Sequence, residues 1–243
     1  MKPEFSSRFI LYIMLMFLFL NTAISQNVTD QKGLKQGKWV KKYNYGSVRY
    51  EGQFKDDKPV GEFKYYYKDG SLKAVSMYKA TGDSVMTTSY HKNGKKMAEG
   101  VYVKQQKEGK WMYYSDIDGS LISEENYKEG QLHGKVITFY TESGNPAEIL
   151  EYDQGKREGP LLKFFPEGST MTEGTYVNDS LDGKFTLYWP DGKIQLSGAY
   201  ESGIQSGKWT YFDEEGKPVS DDTFRFETLE NDTIEFDFPL RNN

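Results

Sequence analysis

The chain has 243 residues, a net charge of −5, 16% aromatic residues, 24 glycines and no cysteine. Nothing in that charge would draw it to nucleic acid, and the missing thiols exclude disulfides, thiolate metal sites and a Cys nucleophile. Many aromatic residues and glycines with few other signals favour strands and turns over helices.

Taken in chain order, the first element is a signal peptide over residues 1–25. Lys2 and Arg8 precede twelve apolar residues, Phe9 to Leu20, and Ala23-Ile24-Ser25 supplies the small residues for cleavage near Ser25. The run is too short for a membrane span of about 20 apolar residues. Cleavage removes Lys2, Glu4 and Arg8, a net +1 out of −5, and leaves the exported chain at −6. It is expected in the periplasm, in the cell envelope or secreted. Residues 26–36 form a lead-in.

From Gly37 the sequence repeats. Units begin at Gly37, Gly61, Val85, Gly109, Gly134, Gly159, Gly183 and Gly207, spaced by 24 or 25 residues. Each unit carries a second glycine, such as Gly70 in KDG, Gly94 in KNG and Gly192 in PDG. Those are hairpin turns, where glycine takes the positive φ that other residues resist. A closing aromatic recurs at Phe54, Tyr78, Tyr102, Tyr127, Tyr152, Tyr176, Tyr200 and Phe224. Each unit therefore reads as strand, tight turn, strand, loop, and the whole as an all-β array of about eight tandem hairpins in one antiparallel single-layer sheet.

The third residue of most units is a core residue by this reading: Trp39, Phe63, Trp111, Val136, Leu161, Phe185 and Trp209. The sixth is a second aromatic row, Tyr66, Tyr90, Tyr114, Phe139, Phe164, Tyr188 and Phe212. Strict alternation places that row on the opposite face, whereas a β-bulge would re-aim it. These seven rings are the candidate binding residues. After residue 224 the repeat ends, and 225–243 reads as an acidic cap or tail that protects the open sheet edge, an edge also suited to self-association.

The pattern Tyr-x-x-Gly-x-x-x-Gly-Lys-Trp/Phe-x-x-Tyr, as in YESGIQSGKWTYFDEEG and YVNDSLDGKFTLYWPDG, resembles the MORN repeat in its bacterial variant, some members of which carry an antitoxin label. The resemblance covers residues 37–224. It implies a solenoid of β-hairpins without catalytic activity, and it assigns no functional residues because its motif consists of fold-forming positions. Val85, Pro160 and Lys42 depart from the motif.

Motifs that carry chemistry elsewhere read as structure here. GQLHGK and GIQSGK have three residues between their glycines, one short of a phosphate loop, and no Ser or Thr after the lysine. His91 and His133, the two histidines, lie 42 residues apart without a cluster of ligands. Glu51, Glu99, Glu124 and Glu173 recur along the second strands, a ladder from which a glycosidase would need one close pair. No catalytic residue, metal or cofactor is expected. The expected function is a non-enzymatic exported surface that binds or scaffolds a protein or envelope partner. The alternatives are an antitoxin-like protein and an envelope lipid- or carbohydrate-binding protein, although the charge gives no indication of membrane association.

Overall fold

Two kinds of turn, both built on left-handed backbone, punctuate the strands. The computed structural model of the chain describes residues 26–79 and 83–220, with strands, turns and bends and no helix among them. The expected signal peptide and acidic tail lie outside the described residues, as do the last four residues of the array.

The chain divides into two compact units after Gly82. The first contains β1 (Val28–Thr29), β2 (Lys35–Lys42), β3 (Val48–Lys55), β4 (Lys58–Tyr66) and β5 (Leu72–Tyr78). Each pairs antiparallel with the next. The second contains β6 (Ser84–Tyr90), β7 (Lys96–Val103), β8 (Gln106–Tyr114), β9 (Leu121–Lys128), β10 (Gln131–Leu132), β11 (Gly134–Phe139) and β12 (Pro146–Asp153). It continues with β13 (Lys156–Phe164), β14 (Thr170–Val177), β15 (Ser180–Leu181), β16 (Gly183–Tyr188), β17 (Ile194–Glu201), β18 (Ile204–Phe212) and β19 (Pro218–Val219). Pairing is again antiparallel between neighbours, with β9 spanning both β10 and β11 and β14 spanning both β15 and β16. The all-β tandem-hairpin architecture is the one expected.

Within a hairpin, the predicted turn glycine does what its motif requires. Gly70 has φ 89°, and its N–H donates to the Tyr67 carbonyl at 3.1 Å. Between hairpins the expected loop is instead a two-residue turn with both residues left-handed, as at Lys104 and Gln105 (φ 49° and 68°) and at Asn178 and Asp179 (φ 48° and 68°). This is the type I′ geometry whose twist matches the strands it joins. The repeat reading sets each unit glycine at the opening of a strand, whereas Gly109 lies inside β8 at φ 68°. Pairing there jumps from Val101↔Glu108 to Glu99↔Met112, so three residues, Gly109 to Trp111, oppose Gly100 alone. The unit glycine is thus a bulge residue. Val85 is not among the left-handed residues, and β6 needs no glycine.

The core lies on one face and is built from rings laid over glycines. Phe63 and Trp111 are 2% and 3% exposed, and Leu161 is equally buried. A Cβ on Gly52 would stand 2.4 Å from the Phe63 ring, one on Gly100 2.3 Å from Trp111, and one on Gly198 2.2 Å from Trp209. Opposite smaller residues the bed fills in: Leu150 pairs with Val136 and with Leu161. Closing aromatics meet the core rings edge to face, Tyr102 on Trp111 at 4.8 Å and Tyr200 on Phe185 at 5.3 Å, the arrangement ring quadrupoles favour. The question of the two rows is settled by simple alternation, because Glu51 pairs with Lys64, two residues from Tyr66, while Phe63 shares its face with Tyr65.

Candidate binding surface

All seven sixth-position residues, Tyr66, Tyr90, Tyr114, Phe139, Phe164, Tyr188 and Phe212, are half-buried. On the face opposite the core, tyrosine hydroxyls reach back fifteen residues to the glutamates. Tyr66 donates to Glu51 Oε1 at 2.6 Å, Tyr114 to Glu99 Oε1 at 2.6 Å and Tyr188 to Glu173 Oε2 at 2.8 Å. Phe164 and Phe212, which have no hydroxyl, fall where the residue fifteen earlier is Ile149 or Ser197 rather than glutamate. Ahead of Phe139, Glu124 accepts from Lys110 Nζ at 2.7 Å instead. Ring row and carboxylate ladder are therefore one structure.

The electrostatics of the ladder follow from this. Burial, then the Glu99 hydrogen bond, pushes the Tyr114 hydroxyl up to about 12, and Tyr66 is raised to about 12 in the same way by burial and Glu51. The Tyr114 hydroxyl and then Lys96, at 2.9 Å, hold the Glu99 carboxyl below the usual glutamate range. A glycosidase general acid needs the reverse, a raised carboxyl. Because the folded value of Glu99 lies below the unfolded one, its stabilisation is complete above about pH 4.5 and fades as the pH falls through the folded value. Tyr114→Phe is expected to cost about 1 kcal/mol at neutral pH. In urea titrations the gap from the natural chain should narrow towards pH 3; a gap independent of pH would show that the bond does not hold the carboxylate.

The histidines occupy structural slots. His91 Nε2 lies 3.1 Å from the Tyr114 carbonyl, the place where Tyr140 donates to the Phe164 carbonyl at 2.8 Å and Tyr43 to the Tyr66 carbonyl at 2.9 Å. Each of these ties one hairpin turn to the next. His133 Nδ1 lies 3.1 Å from Asp153 Oδ1 at the surface. In neighbouring repeats that slot accepts a backbone N–H from the following turn, Glu129 to Glu108 at 2.9 Å and Asn178 to Glu158 at 2.8 Å. The glycine N–H groups of the loop-like motifs are also used: Gly130 donates to the Lys107 carbonyl at 3.0 Å and Gly203 to the Leu181 carbonyl at 2.8 Å. A phosphate loop needs those groups free. Among the described residues no three His, Cys, Asp or Glu could hold a metal together.

Sequence reasoning missed one constellation on the core face. Glu125 is 4% exposed and accepts from Tyr127 at 2.5 Å and Ser123 at 3.3 Å. The ammonium of Lys107 donates to the hydroxyls of Tyr113 at 2.5 Å and Tyr127 at 3.3 Å. It stands 5.1 Å from the ring centres of Trp111 and Tyr113 and 4.6 Å from that of Tyr127. The only trace in the sequence is a glutamate where sister repeats place glycine, in SEE against AEG and TEG.

A family model described as MORN repeat variant matches residues 59–80 and 181–201. Both matches begin two residues before a unit glycine, Gly61 and Gly183, so they fall in one phase with the hairpins described above. The chain carries MORN repeats at both places. No curated protein matches the chain. MORN repeats generally serve in binding or scaffolding, and in this chain Tyr66, Tyr114 and Tyr188 and the turn glycines Gly130 and Gly203 are held by neighbouring repeats.

Proposed function

We propose that this chain is a non-enzymatic, exported surface that binds or scaffolds a protein or cell-envelope partner. The observation that carries the reading is the half-buried ring row on the face away from the core, where polar groups that could do chemistry are engaged within the fold. Regularly spaced rings with exposed edges are the usual anchors of protein interfaces. Export rests on the charged and apolar run over residues 1–25.

Phe139 and Phe164 test this directly, because neither has a hydroxyl to lose. The mature chain, residues 26–243, is used as bait on envelope extract, alongside a Phe139→Ser/Phe164→Ser variant with an unchanged circular dichroism spectrum. A specific envelope partner captured by the natural chain and lost with the variant is the expected result. A chain that keeps Met1 in the cytosol and captures one soluble protein would support the antitoxin-like reading instead.

A further inference from the structure

We propose that Phe63, Tyr65 and Tyr78 form a binding site for a primary alkylammonium group of the kind a lysine side chain carries. The warrant is internal to the chain. In the repeat beginning at Gly109, three rings at the same repeat positions, Trp111, Tyr113 and Tyr127, already hold an ammonium, that of Lys107.

The two ring sets share one ring-pair geometry and one hydroxyl separation. Phe63 and Tyr65 stack with centres 6.2 Å apart at 28°, and Trp111 and Tyr113 lie tilted at 6.3 Å and 30°. The hydroxyls of Tyr65 and Tyr78 are 3.0 Å apart, and those of Tyr113 and Tyr127 3.3 Å apart. Phe63 closes the first set edge to face against Tyr78 at 5.1 Å. Two things differ on the strands around them: Tyr50, 6.3 Å from Phe63 and 6.2 Å from Tyr65, stands where the second set has Ala98, and the residue two before the unit glycine changes. Lys107 pairs with Tyr102 beside the second set, whereas Pro59 pairs with Phe54 beside the first. Proline is uncharged and too short to reach the hydroxyl pair. Among the described residues, no lysine or arginine stands over Phe63, Tyr65 or Tyr78.

The chemistry selects the ligand. Ring faces attract any cation, but the paired tyrosine oxygens add acceptors that reward N–H donors, which quaternary ammonium ions lack. Burial, and then the Tyr78 hydroxyl, raises Tyr65 well above the ordinary tyrosine value, so its phenol stays neutral and protonated at physiological pH. Ser76 pairs with Phe63 where Glu125 pairs with Trp111. Without a carboxylate behind the tyrosines, affinity for a free cation should be modest, with a dissociation constant on the order of millimolar from a few cation–ring contacts.

The test uses the mature chain and N-α-acetyl-lysine methylamide, followed by the aromatic NMR signals of Tyr65 and Tyr78, and does not depend on the identity of any partner. Saturable shifts with one site per chain are expected, with no response to the analogue acetylated at Nε. Tetramethylammonium should bind at least tenfold more weakly. Pro59→Lys supplies a tethered ammonium and should abolish binding. Lys107→Ala frees the sister rings and should raise the stoichiometry to two. No saturable shift, an equal response to the neutral analogue or to tetramethylammonium, binding that survives Pro59→Lys, or a stoichiometry still at one in Lys107→Ala would each overturn the assignment. The analogue comparison and Lys107→Ala decide the matter even where Pro59→Lys does not fold.

Discussion

Trp111→Ala should lower stability by about 3–5 kcal/mol, towards the top of the range for removing a buried ring. Trp111 is 3% exposed, its Nε1 donates to the Val101 carbonyl at 3.1 Å, and it packs edge to face on Tyr102. The cost is high because the ring lies on Gly100, which has no side chain to move into the space. Lys107 and Tyr113 lose a wall of their site in the same step. In a repeat array neighbouring units share interfaces, so the loss should be felt beyond its own repeat. Urea titration followed by circular dichroism measures it, with Trp39→Ala, at a half-buried ring, as the milder comparison. A Trp111→Ala loss of under about 1 kcal/mol, far below that range, would show that the ring is not the core of its repeat.

Gly100→Ala is the complementary experiment. Its added Cβ would lie 2.3 Å from Trp111 Cδ2, and a well-packed core charges about 1–3 kcal/mol for one methyl of overpacking. Gly109→Ala, nine residues on, separates two roles of glycine. There nothing lies within 4 Å of the new Cβ, and the strain comes from φ 68° alone, worth about 1 kcal/mol. If Trp111 is the obstacle, Gly100→Ala should cost almost nothing when Trp111 is already valine. The combination that Leu150 and Leu161 use elsewhere is the natural precedent. A double-mutant cycle should therefore show coupling above about 1 kcal/mol, well beyond the additivity of independent sites. Additive effects would mean that the Gly100 position is destabilised through its backbone and not through the ring.

These two predictions mark the boundary of what could be read beforehand. The repeat period, the hairpin glycines and the core row at Trp39, Phe63, Trp111 and Leu161 were legible, because turn chemistry and alternation act over a few residues. The connection between hairpins was not. Lys104-Gln105, Asn178-Asp179 and Glu129-Gly130 all take left-handed backbone without sharing a residue pattern, and the conspicuous unit glycines turned out to serve a bulge.

The candidate site was legible as a row but not as a network. The link from Tyr114 to Glu99 joins residues of different repeats, and the bulge at Gly109 helps decide which carboxylate each hydroxyl meets. The same holds for Lys107, which shows no motif and becomes a ligand only when three rings from two strands converge on it.

By itself, the sequence determined that this chain forms tandem hairpins with one ring face and one mixed face, since local backbone preference and period-two burial suffice for that. Only the tertiary structure decided which glycine lies under a ring, which glutamate a tyrosine holds and which ring set keeps a lysine of its own. Those choices depend on strand register, and register is set by bulges whose effect appears only when neighbouring strands are paired.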